Sequence, residues 1–311
     1  MIRTENVETL LTQAYMHVSQ GNLDPAMELF EKALRMDFDH PELLFALKCE
    51  AWWRDTLTKG DLRPDSFDAG DFLLGQWKSF KTYLAGIDDV FERTSLAFKQ
   101  LAFGHALSFF QPLMQEGDTC DPEISYRVGC CYKGIGDYDH AVKYIEDANR
   151  LSKDDPCFLA ELADIYELVN ESRASKALFR EAFFLNPQRI DLDMLESSAI
   201  ARLQEKALEN GKRGHETAEW VPVYGEVGGI FTVKRELKAI EVSKLKNTIY
   251  ELESELHNDG SRRSVLVPRL INKYFWLADH YISMKDEKQK TDELLLKIKL
   301  LDSTIYKMYI A

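Results

Sequence analysis

Cysteine is scarce and unpatterned in this 311-residue chain. Cys49, Cys120, Cys130, Cys131 and Cys157 make an odd set with no repeated spacing and no C-x-x-C pair. That excludes a disulfide framework and the common zinc and redox motifs. Cys130 and Cys131 are adjacent, so on a helix their side chains point about 100° apart and cannot easily grip one metal. Long hydrophobic runs are missing too: nothing reaches the ~18 consecutive apolar residues of a membrane span. The opening MIRTENVETLL lacks a basic stretch followed by an apolar core, so no export signal is expected and a cytoplasmic location is. Basic residues are the minority, 39 Lys and Arg against 52 Asp and Glu, for a formal charge of −13. A general nucleic-acid binder needs the opposite balance on at least one face.

Catalytic and ligand motifs are equally absent. Gly134-x-Gly136 follows a predicted helix, not a strand, and does not begin a nucleotide loop. Ser243-x-x-Lys246 has acyl-enzyme spacing but falls mid-helix without companion motifs. The seven histidines form no ligand cluster. Asp61, Asp65, Asp68 and Asp71 lack the central glycine and final glutamate of a calcium loop. No catalytic residue, cofactor or metal is expected, and the chain is read as not an enzyme.

What is present is a repeat. Hydrophobic residues at 45% and charged residues at 29% describe a folded protein. The clearest copy runs over residues 122–155, with Tyr132, the turn Gly136-Asp137-Tyr138-Asp139, then Ala141, Ile145 and Ala148. An earlier copy aligns to it through Gly21-Asn22-Leu23-Asp24, Ala26, Phe30 and Ala33. A later one has Ala163, Tyr166, Ser175, Phe179, Ala182 and Asn186-Pro187. Small residues at Ala14, Gly129 and Ala163, and at Ala26, Ala141 and Ser175, let two helix backbones approach. Tyr132, Tyr166, Phe30 and Phe179 fill the space beside them. Pro41, Pro122 and Pro156 open helices where no N–H donor is needed.

These residues resemble the tetratricopeptide repeat family, whose unit is a pair of antiparallel helices of about 34 residues. Repeat starts near residues 7, 41, 87, 122, 156 and 190 give spacings of 34, 46, 35, 34 and 34. The long interval holds 12 surplus residues, placed at about 57–68 around Gly60 and Pro64, with the following helix at about 69–84. The third repeat is degenerate but legible through Ala106, Phe110 and Leu113. The resemblance implies an all-α, right-handed superhelical solenoid of helix pairs over residues 7–210.

From residue 211 the pattern changes. Residues 211–229 read as an ordered glycine- and aromatic-rich connecting segment, with Trp220, Pro222 and Tyr224 flanking valines in an extended pattern. Residues 230–311 read as three helices, about 230–257, 265–284 and 288–310. They form either a C-terminal helical cap on the solenoid or an oligomerisation element.

In tetratricopeptide proteins the first helix of each repeat lines a concave groove. Carried over to this chain, the groove residues include Tyr15, Phe45, Trp52, Phe91, Phe98 and Tyr126, followed by acidic Asp164 and Glu167. Aromatics of this kind suit anchoring of a peptide or helix. Trp220 and Tyr224 are a secondary candidate. The resemblance therefore implies a protein-interaction scaffold or adaptor with a protein or peptide partner. Two alternatives stand beside it: a regulatory sensor whose curvature responds to a small ligand or signalling peptide, and a structural homo-oligomer.

Overall fold

The computed structural model describes residues 6–60, 62–63, 66–114, 121–285 and 288–310. Cys120, and Asp61, Pro64 and Asp65 of the expected insertion, lie outside the described residues. Among the described residues there are fifteen α-helices, three short 3-10 turns and no strand. The chain is an all-α helical-repeat protein, and it divides into two compact units, Met1–Leu151 and Ser152–Ala311.

The N-terminal unit contains α1 (Val7–Ser19), α2 (Leu23–Met36), α3 (Pro41–Lys59), α4 (Phe67–Leu84), α5 (Glu92–Phe110), α6 (Pro122–Ile135) and α7 (Tyr138–Leu151). Their ends follow from local chemistry. The Asn6 side chain accepts the Thr9 amide at 2.8 Å, and the Asp121 carboxylate accepts that of Glu123 at 2.9 Å just before Pro122 opens α6. α6 ends at Gly136, whose φ of 90° needs glycine.

The expected close approaches are present. Ala14, Ala26, Ala33, Ala141 and Ala148 are fully buried. A Cβ on Gly129 would lie 2.6 Å from Ile145 Cδ1, so α6 and α7 pack at a distance only a glycine permits.

The third repeat departs from the expected pair. A helix pair starting near residue 87 is expected; instead, residues 87–91 are irregular and one uninterrupted helix, α5, runs from Glu92 through Ala106 to Phe110. Its middle, Leu101-Ala102-Phe103-Gly104, contains no Gly-x-x-Asp turn, so nothing stops the helix. Pro112 falls in a 3-10 turn (Gln111–Leu113) that closes α5. α5 packs on α4 and α6, and also on α1 and α3.

The C-terminal unit contains α8 (Pro156–Leu168), α9 (Ser172–Leu185), α10 (Ser198–Glu209), α11 (His215–Val227), α12 (Ala239–Asn258), α13 (Arg263–Ser283), α14 (Lys288–Leu301) and α15 (Ser303–Ile310). A single hydrophobic core runs from Leu159 on α8 to Ile305 on α15. α13 is its centre, packed against α11, α12 and α14.

Two sequence expectations change here. The segment expected to be extended is helical: α11 covers Trp220 to Tyr224. The residues expected to begin the next helix, 231–238, form an irregular strap instead. Residues 218–225 are buried on every side, so α11 shows no polar face from which helical periodicity could be read. Gly225 lets Phe231 of the strap lie against α11, since a Cβ there would meet the Phe231 ring at 2.5 Å. Gly229 supplies a φ of 67° for the chain to leave the helix. The sixth repeat, expected to start near 190, opens with turns and reaches its helix only at Ser198.

Buried charges fasten the strap. Arg180 of α9 contacts Glu226 of α11 at 3.3 Å and pairs with Asp279 of α13. Lys234 of the strap reaches the same two carboxylates at 3.0 and 2.5 Å. Arg180, Glu226 and Asp279 are buried and Lys234 reaches them from the surface, so two cations against two anions leave the cluster without net charge, which makes the burial tolerable. Burial opposes the charge of Lys234, but Asp279 and Glu226 outweigh it and hold the amine cationic.

Candidate interaction surfaces

The structure gathers several predicted groove residues, but as internal packing. Tyr15 on α1 hydrogen-bonds Thr94 on α5 at 2.7 Å and donates to Glu42 on α3 at 3.0 Å. Burial pushes its hydroxyl well above the usual tyrosine range. Phe45 and Phe91 place ring centroids 5.7 Å apart. Phe98 lies 6.2 Å from Phe80 of α4 and has no exposed surface. Trp52, half-buried, packs against Trp53 and Phe80 at 4.9 and 5.0 Å. Tyr126 is buried on α6.

The reason is α5. It lies along α1 and α3 with Arg93 bridging Glu8 and Glu42 at 3.0 and 3.2 Å. It thereby covers the face that the first two repeats would offer a ligand. Phe91 and Trp52 keep partial exposure; Tyr15, Phe45, Phe98 and Tyr126 present almost no surface.

Asp164 and Glu167 do not form an acidic end to a groove. Asp164 is fully buried and accepts the main-chain N–H groups of Glu196 and Ser197 at 2.9 and 2.7 Å. Glu167 accepts the Ser197 hydroxyl at 2.5 Å beside the first residues of α10. Both carboxylates organise the start of that helix. Trp220 and Tyr224 are buried in α11, their rings 5.5 Å apart.

An accessible cleft lies elsewhere, among α12, α13 and α14. It has a volume of about 340 Å³, an apolar floor of Ile249, Leu277 and Leu294, and Tyr281 in its wall. Lys246 of α12 and Lys290 of α14 approach the Tyr281 ring, at 5.4 and 5.8 Å from its centroid. Lys297 bonds Glu253 at 2.6 Å, and Tyr274 donates to the same carboxylate at 2.5 Å. Burial works against the Glu253 charge, but these two donors outweigh it and hold the carboxyl below its usual range. Tyr250 stands at the rim, 73% exposed.

Sequence reading missed this cleft because its residues come from three helices. One signal was available: residues 230–311 carry 15 Lys and Arg against 12 Asp and Glu in a chain of net −13. Among the described residues no three His, Cys, Asp or Glu side chains cluster as metal ligands, and no helix is long and apolar enough to cross a membrane.

No curated protein matches the chain. Among solved structures, that of Naa15/Naa10 bound to HypK-THB is similar at 14% identity and a TM-score of 0.25, covering 99% of this chain and 50% of that one. The chain thus spans half the length of that chain. The family model described as Tetratricopeptide repeat matches residues 7–40 and 122–155, that is, α1–α2 and α6–α7 with the loops that follow them. Those matched pairs are the ones whose alanine and glycine contacts are described above, and over those residues the chain carries tetratricopeptide repeats.

Proposed function

We propose that the chain is a protein-interaction scaffold, and that it receives its partner in the α12–α13–α14 cleft rather than on the aromatic positions of its first repeats. The supporting observation is the contrast in access. Tyr15, Phe45, Phe98 and Tyr126 of the repeats are buried, whereas the cleft is open, apolar at its floor and flanked by Lys246, Lys290 and Lys297 beside Glu253 and Glu293. The partner that fits is an acidic peptide or helix carrying an aliphatic or aromatic side chain. The apolar group enters the floor, and the lysines orient the acidic flanks and speed encounter.

A peptide library displayed on phage and selected on the full chain tests this. Acidic sequences with a central apolar residue should be enriched, and their binding should fall at least tenfold with Lys246→Glu plus Lys290→Glu. Selected peptides indifferent to that pair would place the binding face elsewhere.

Self-association is a second reading. Leu296 and Leu300, one turn apart on α14, are 55% and 76% exposed. Light scattering of the chain and of Leu300→Lys decides it: a dimer that the substitution dissolves supports the reading, and a monomer at all concentrations sinks it.

A further inference from the structure

A smaller cavity, of about 200 Å³, lies in the C-terminal unit between the end of α8, the first turns of α9 and α10, and the start of the strap. Its depth is apolar: Phe179, Ile200 and Phe231 line it, each no more than 2% exposed. Ser175 lines it too and is equally buried, and its hydroxyl has no hydrogen-bond partner among the described residues. A serine inside a helix can give its hydroxyl to the carbonyl one turn back; Ser175 does not. A buried hydroxyl left unpaired is costly and rare. Ser175 and Phe179 stand one turn apart on one face of α9, so the unpaired hydroxyl adjoins the apolar depth.

The outer wall is basic. Half-buried Lys176 and exposed Arg202 both line the cavity. Lys176 has no ion pair or hydrogen bond among the described residues, and Arg202 bonds only the neutral Ser198 carbonyl, through Nε at 3.1 Å. Glu167 is the one carboxylate among the described lining residues, and it is already engaged. It accepts the Ser197 hydroxyl and, at 3.4 Å each, the Ser198 hydroxyl and the Ala199 N–H. Elsewhere in this unit Arg180, Lys234 and Arg235 are each held by two carboxylates. The two cations at this cavity are uncommitted.

We propose that the cavity is a binding site for a small monocarboxylate with a short apolar tail, separate from the α12–α13–α14 cleft. The tail packs on Phe179, Ile200 and Phe231. The carboxylate sits where Ser175 and Lys176 adjoin: one oxygen accepts the Ser175 hydroxyl, and Lys176 and Arg202 supply the opposing charge. The volume is below the ~300–1,000 Å³ of drug-sized sites, which limits the tail to a few carbons. Since α9, α10 and the strap all border the cavity, the bound acid ties the strap to both helices.

Isothermal titration calorimetry of the full chain at pH 7.5 tests this with butanoate, hexanoate, decanoate and hexanamide, the neutral counterpart of hexanoate. Hexanoate should bind saturably at one site, and hexanamide about tenfold more weakly or worse. Affinity should rise about fourfold per methylene from butanoate to hexanoate, then fall at decanoate, which the cavity cannot hold. Lys176→Ala plus Arg202→Ala should weaken hexanoate about tenfold. Ser175→Ala should weaken it several-fold without lowering the melting temperature of the free chain, because no bond is lost. The absence of saturable binding at millimolar hexanoate would overturn the proposal, and so would equal binding of hexanamide. Affinity that keeps rising to decanoate and ignores the Lys176–Arg202 pair would mark adsorption to apolar surface instead. A Ser175→Ala chain with unchanged affinity would make that hydroxyl a packing group and remove the site's polar anchor.

Discussion

Phe98 is where a binding role and a packing role give opposite outcomes. Its ring is enclosed beside Phe80 with no exposed surface, so Phe98→Ala should cost about 3–5 kcal/mol of stability, measured by denaturant unfolding. A change below about 1 kcal/mol would show that the ring is not core. Cys49 makes a pH-dependent statement in the same unit. Burial pushes its thiol from 9.0 up to about 12. The unfolded chain therefore loses this proton at lower pH than the folded one. The stability it lends is complete below about pH 9 and declines as pH rises towards 12. Comparing pH 8 with pH 10.5, wild type should lose more stability than Cys49→Ala; equal losses would contradict the assignment.

At the scale of elements, legibility tracked how each helix buries its surface. α2 and α7 bury one stripe each, Ala26, Phe30 and Ala33 in one and Ala141, Ile145 and Ala148 in the other. A small residue at every closest approach and a turn before each helix made those pairs readable. α5 and α11 were not readable, for opposite reasons. α5 lacks the turn that would divide it, and α11 is buried all round, which hides its period and made its valines look extended. The groove failed with α5: residue-by-residue transfer assumes that first helices face solvent, and a helix lying on them removes that surface without altering the motif. Asp164 illustrates the same limit, since a carboxylate at a groove position can serve a neighbouring loop. Asp164→Ala strands the N–H groups of Glu196 and Ser197 and should cost about 2–3 kcal/mol. Hydrogen exchange across residues 190–200 should accelerate selectively. Unchanged protection there would mean that the carboxylate does not hold the loop.

For the whole molecule, the position of the division matters more than the number of repeats. Sequence character changes at residue 211, yet the compact units separate between Leu151 and Ser152. The reason lies in the C-terminal core, which runs from Leu159, Phe179 and Phe183 through Trp220, Tyr224 and Phe231 to Phe275, Ile298 and Ile305. A cut at 210/211 would strip α13 of the apolar surface that α9 gives the core, and it would leave Asp279 and Glu226 without Arg180. Removing one partner of a buried pair costs about 3–5 kcal/mol before any lost packing is counted, a large part of a typical domain's stability. A fragment of residues 152–311 should therefore melt cooperatively, while residues 211–311 should show no cooperative transition. Thermal unfolding followed by circular dichroism compares the two. Cooperative folding of the shorter fragment would mean that α12–α15 are sufficient by themselves and that α8 and α9 merely rest against them.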